Sequence, residues 1–230
     1  IMKMSSNHFL ILAIFAFSEH PFLFSQDQNS SLPEIKKLDD GRYAFGDVLL
    51  DREARTLELP GISNQVNGLV EYGLVHEGGK IHESLFRTNV RPQIIQASFL
   101  LLNQKPIDCF FENLWSENPQ KLRFPKDCIG VEVIWDSNGT QKTDPLENMV
   151  INQTNQKGIT PKSIIFTGSK VIEGTYMAEI SGSILAVYAD EDAILNSSDI
   201  DSDNDDVWIA NENTMPPLES RVRIRFLLPE

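Results

Sequence analysis

Cysteine and histidine are scarce in this 230-residue chain, and their scarcity removes whole classes of chemistry. The two cysteines, Cys109 and Cys128, lack the C-x-x-C spacing of zinc ribbons and thioredoxin-type redox sites. Of the four histidines only His76 and His82 lie beyond the N-terminal apolar segment, so a multi-histidine metal centre cannot be assembled. There is no phosphate-binding P-loop and no G-x-G-x-x-G, which leaves nucleotide binding without a frame. The G-x-S-x-G and H-E-x-x-H frames of serine hydrolases and zinc proteases are missing too. Basic residues are the minority, 20 Lys and Arg against 33 Asp and Glu, for a net charge of −13. Nucleic acid and anionic membrane surfaces need clustered cations and are poor partners for such a chain. The longest apolar run, 9–17, is far shorter than the ~20 residues that span a bilayer.

What is present first suggests export. Lys3 precedes that run, and Glu19, His20 and Pro21 interrupt it before a second patch at Phe22-Leu23-Phe24. Residues 1–25 therefore read as a signal peptide, cleaved after Ser18 or Ser25, that delivers the chain to the periplasm or outside the cell. Residues 26–45 are polar and read as a flexible lead-in, and 46–230 as one domain. Hydrophobic residues at 41% suffice for a core.

Within 46–230 strand signals dominate. Segments 47–50 and 56–59 flank the charged turn at Asp51-Arg52-Glu53. Segments 69–77 and 80–87 surround Gly78-Gly79, a pair suited to a tight hairpin. Asn138-Gly139 joins 129–136 to 140–143, and Ser181-Gly182 joins 175–180 to 183–189. Residues 162–167 read as a further strand, and 221–228 alternates arginine with Val222, Ile224 and Phe226 as a half-buried strand does. One helix is predicted, about 92–103, opening on Pro92, apolar on nearly every side and ending at Asn103 in a left-handed cap. The expected class is α+β, mainly antiparallel hairpins with one buried helix.

A hairpin over 69–87 would sort its polar groups. Glu71, Gly73, His82 and Ser84 would share one face, while Glu83 would turn with Tyr72, Leu74 and Leu85 toward low dielectric. A carboxylate, an imidazole and a hydroxyl together are the raw material of acid–base or nucleophilic catalysis, and His with Glu can ligate a metal. The same residues equally suit a hydrogen-bonded patch that fixes the hairpin. The acidic stretch holding Asp199, Asp201, Asp203 and Asp205 places oxygen ligands at alternate positions, as calcium requires. Its sixth position counted from Asp201 is Asp206 where a calcium loop needs glycine, so a solvated loop anchored by Trp208 is the plainer expectation. In an oxidising compartment Cys109 and Cys128 either close a loop of about 20 residues, worth about 3 kcal/mol, or stay as two buried thiols.

The run Gly68-Leu69-Val70-Glu71-Tyr72, then Gly78-Gly79-Lys80-Ile81-His82-Glu83-Ser84-Leu85, then Arg91-Pro92 with its leucine-rich helix, resembles the YdjY-like domain family of bacterial proteins. Val133-Ile134-Trp135, Phe166-Thr167-Gly168-Ser169, the 190–195 stretch and Asp205-Asp206-Val207-Trp208 are similar as well. The resemblance runs from about Gly46 to Leu228 and implies a shared fold and an exported location, with no settled activity. Some relatives carry clustered cysteines and a ferredoxin label. Two separated thiols cannot supply the roughly four ligands of an iron–sulfur cluster, so that label does not transfer.

Three functions follow. The leading expectation is a non-catalytic module, free of cofactors, that binds a protein, glycan or small ligand or has a structural role. The alternatives are a hydrolytic or metal-assisted enzyme using Glu71, His82, Glu83 and Ser84, and a calcium-dependent binder using Asp199, Asp201, Asp203 and Asp205.

Overall fold

In the computed structural model residues 32–118, 120 and 124–230 are described. The expected signal peptide lies outside them. In chain order the strands and helices are β1 (Ile35–Lys37), β2 (Tyr43–Phe45), β3 (Val48–Asp51), β4 (Thr56–Ser63), β5 (Tyr72–His76), β6 (Ser84–Thr88), α1 (Pro92–Leu101), α2 (Cys109–Leu114), β7 (Gly130–Ser137) and β8 (Thr140–Pro145). There follow β9 (Val150–Asn152), β10 (Lys157–Gly158), β11 (Ile164–Phe166), β12 (Val171–Ile172), β13 (Thr175–Tyr176), α3 (Met177–Ser181), β14 (Ser183–Ala186), β15 (Leu195–Ser197), β16 (Trp208–Ala210) and β17 (Arg221–Leu227). Strand outweighs helix, 37% to 14%, which makes the class α+β with the sheet dominant.

Twelve strands join one sheet that divides at β4. β1, β2 and β3 form an antiparallel meander leading to the first half of β4, where Leu50 faces Leu57. On its other edge β4 pairs along its whole length with β17, which pairs in turn with β7, and β7 with β8. Past Pro60 the first edge of β4 exchanges β3 for β6, with Ile62 opposite Arg87. From β6 a second wing runs β5, β14, β15, β11. Only β5–β6 and β14–β15 are parallel in this sheet. Contacts group Leu32–Glu230 as one unit.

Local chemistry explains several elements. β17 alternates exposed Arg221 and Arg223 with buried Val222, Ile224 and Phe226, the period of a strand with one face on the core. Arg223 and Arg225 both reach the Glu58 carboxylate from this outer face. α1 starts at Pro92, where a missing N–H costs nothing, and ends in a Schellman closure. Asn103, at φ 59°, donates its N–H to the Leu100 carbonyl, and Gln104 donates to that of Phe99. The buried face of α1 carries Ile94, Ile95 and Phe99, while Leu100 and Leu101 are exposed. Phe99 stacks on Phe166 of β11 at 5.0 Å and meets Phe226 of β17 edge-on at 5.4 Å, so one ring ties both wings to the helix.

The structure corrects four local expectations. Residues 35–45, read as lead-in, form β1 and β2. Ser181-Gly182 does not close a hairpin: β13 pairs with β12, and Gly182, at φ 73°, caps α3. The loop after Cys109 contains α2, whose Phe110 packs with Ile165 and Ala189 in a small satellite core. Cys109 and Cys128 carry free thiols, the first exposed, and no bridge joins them. Among the described residues no helix is long and apolar enough to cross a membrane.

Candidate functional site

The segment around Gly78-Gly79 departs most from expectation. β5 and β6 are parallel, with Tyr72 opposite Ser84 and Leu74 opposite Phe86. The chain leaves β5 at His76, returns along its length and re-enters the sheet at Ser84. The connection, 77–83, has seven residues. Extended, they reach about 23 Å, enough to retrace a five-residue strand of about 17 Å. Gly79 donates its N–H to the His76 carbonyl, and Ile81–Glu83 form one 3-10 turn. The two-faced sorting of a hairpin is therefore absent.

The return path nevertheless brings three of the four proposed residues together. The Glu71 N–H donates to the Glu83 carbonyl at 2.9 Å, which fastens the chain just before β5 to the end of the turn. Burial and then the adjoining Glu83 carboxylate hold the Glu71 carboxyl above the usual carboxylate range; Lys80 opposes that shift and Asp205 adds to it. It is thus Glu71, at the mouth of β5, that feels low dielectric. Glu83 also lies 3.2 Å from His82 Nε2, and the His82 side chain is 74% exposed.

Ser84 stands apart. It is fully buried, and its Oγ donates to the Lys80 carbonyl at 2.7 Å, closing the 3-10 turn. No hydrogen bond joins it to His82 among the described residues. Gly73 leaves no open space, since a Cβ there would meet Leu185 at 2.8 Å and Leu146 at 3.0 Å. The set contains an exposed imidazole–carboxylate pair and a raised carboxyl, without a nucleophile aligned to a base.

Next to it lies a polar triad that strand periodicity did not reveal. Tyr72 is buried in β5; its hydroxyl accepts from Lys80 Nζ and donates to Asp190 Oδ2 at 2.8 Å. Lys80 Nζ also sits 4.8 Å from the centre of the Tyr72 ring. Burial, and then the Asp190 carboxylate, push ionisation of the Tyr72 hydroxyl far above its ordinary value. The available signal was Lys80, inside the G-G-K-x-H-E-S element; its partners are set by the fold.

Two of the four candidate carboxylates of the acidic stretch are engaged in hydrogen bonds within the protein. Asp199 accepts from the N–H groups of Thr160 and Ile200, and Asp201 Oδ2 from Asn152 Nδ2 at 2.6 Å. Trp208 is buried, and its indole N–H donates to the Asp201 carbonyl at 3.0 Å, anchoring the loop. Asp203 and Asp205 are exposed, and Asp205 is the carboxylate that bears on Glu71. Among the described residues no group of three or more His, Cys, Asp or Glu side chains is arranged to hold a metal ion.

Comparison with protein-family models, with curated proteins and with solved structures returns no match.

Proposed function

We propose that the chain is an exported, YdjY-like binding module for a protein, glycan or small ligand, and that it does not work by serine-type hydrolysis. The observation that carries this reading is the separation of Ser84 from His82. The hydroxyl is sealed inside and committed to the Lys80 carbonyl, whereas the imidazole is on the surface with Glu83. Nucleophilic catalysis needs those two groups within hydrogen-bond reach. Export is supported by Lys3 and the apolar run at 9–17, and the family by the G-G-K-x-H-E-S element.

A second reading keeps acid–base or metal-assisted chemistry for Glu71, His82 and Glu83, and the raised Glu71 carboxyl supports it. One experiment separates the two. The protein and its H82A and E71Q variants are assayed on a panel of chromogenic esters, glycosides and phosphoesters, with and without added divalent metal. The binding-module reading expects no turnover that either substitution removes. Turnover lost in H82A or E71Q would establish the enzyme instead. The calcium-dependent reading is checked by thermal melting, because a site filled at 100 times its Kd raises stability by about 2.7 kcal/mol.

A further inference from the structure

The outer face of the sheet carries a second site. Arg221 of β17 and Arg87 of β6 stand directly opposite Ile62 of β4, one on each side. Directly paired residues share a face, and neighbouring strands lie about 4.8 Å apart, so Ile62 is the floor between two guanidinium groups. A groove of about 490 Å³ opens there, lined by Pro60, Ile62, Glu77, Arg87, Arg221 and Arg223. It continues past Arg221 and Arg223 into a hollow of about 270 Å³ beside Ile134 and Gln141.

In a chain of net charge −13 this concentration of arginine is local and specific. Two of the three cations are already neutralised. Arg87 forks the Glu219 carboxylate, Nη1 to Oε1 at 2.9 Å and Nη2 to Oε2 at 2.6 Å, and Glu77 also bears on it. Arg223 is held by Glu58 and Gln141, each at 3.0 Å. Arg221 is exposed, and its side chain makes no hydrogen bond or ion pair with the described residues. Arg87 shows that a guanidinium on this face forks a carboxylate, and Arg221, on the other side of Ile62, presents the same donor group without such a partner among the described residues.

The geometry points to a binding site for a small organic anion with an apolar body. Its carboxylate sits on the Arg221 guanidinium, and its hydrocarbon covers Pro60 and Ile62. The charge selects an anion, the floor selects an apolar segment, and the volume falls in the range of small-ligand sites. The site deepens the binding-module reading and rests on it by naming a ligand class.

The test is an amide chemical-shift titration of the full chain with octanoate, with octanamide as the neutral analogue and acetate as the anion without a chain. Octanoate is expected to move the amides of Gly61, Ile62 and Val222 with a Kd on the order of 1 mM, as suits a ligand of about ten heavy atoms. Octanamide and acetate should bind at least about tenfold more weakly, and R221A should weaken octanoate by about tenfold or more. E219Q, which weakens the hold on Arg87, should tighten it. Equal binding of octanoate and octanamide, unchanged affinity in R221A, or shifts confined to other surfaces would overturn the proposal. Turnover lost in H82A would remove the module reading while leaving this titration unaffected, so the two fail separately.

Discussion

Gly79 and Gly182 meet backbone to backbone. A Cβ on Gly182 would lie 2.7 Å from the Cα of Gly79, and a Cβ on Gly79 would lie 2.8 Å from the Ser181 carbonyl oxygen. This contact presses the return path between β5 and β6 onto the end of α3, and it holds the turn that carries Lys80, His82 and Glu83. His76 donates its N–H to the Gly182 carbonyl at 2.8 Å in the same place.

G79A should therefore cost about 1–3 kcal/mol, the range for forcing an extra carbon into a packed position. Denaturant melts of the two proteins measure it. An unchanged midpoint would mean that the two glycines do not touch.

Ser84 and His82 should respond unequally to truncation. S84A removes a buried donor to the Lys80 carbonyl and should cost about 1 kcal/mol. H82A alters an exposed side chain and should stay within about 0.5 kcal/mol. The same melts read both, and a larger loss in H82A than in S84A would reverse the assignment.

Glu71 gives a pH signature. Its carboxyl titrates above the ordinary 4.5, from burial first and Glu83 second, so ionisation is easier in the unfolded chain. Its favourable contribution is complete below about 4.5 and is lost as pH rises through the raised folded value. E71Q carries no such charge. Relative to the parent it should gain stability between pH 4 and 8, reaching about 0.5 kcal/mol near neutrality. Melting temperatures of both proteins across that range test it, and a constant difference would contradict it.

F99A should be the most damaging of these changes, at about 3–5 kcal/mol. The ring is fully buried between Phe166 and Phe226 and belongs to the core of both wings. Calorimetric unfolding measures the loss, and a loss below about 1 kcal/mol would deny the ring that place.

Elements whose cause is local were legible in the sequence. Asn138 and Gly139 both adopt positive φ, 55° and 79°, and turn β7 into β8 as an Asn-Gly hairpin does. Pro92 and Asn103 bound the helix, and the arginine alternation marks β17. Gly78-Gly79 looked like the same kind of turn, yet neither residue has positive φ. At Gly79 glycine is required for close approach to a segment about 100 residues away, and turn chemistry cannot distinguish these two uses of glycine. The hairpin reading set Glu83 on the opposite face from Glu71 and His82, whereas the parallel return brings Glu83 beside both. Ser84 was misplaced because the slip from hairpin to parallel pairing sends its side chain inward. The Arg87–Arg221 groove was invisible, because it depends on β4 changing partners from β3 to β6 partway along.

The account turns on Ser84 being locked to the Lys80 carbonyl and out of reach of His82. Incubation with a serine-directed fluorophosphonate, followed by intact-mass and peptide analysis, tests this directly. The protein should remain unmodified at Ser84 under native conditions. One equivalent of adduct on Ser84, lost in H82A, would contradict the account.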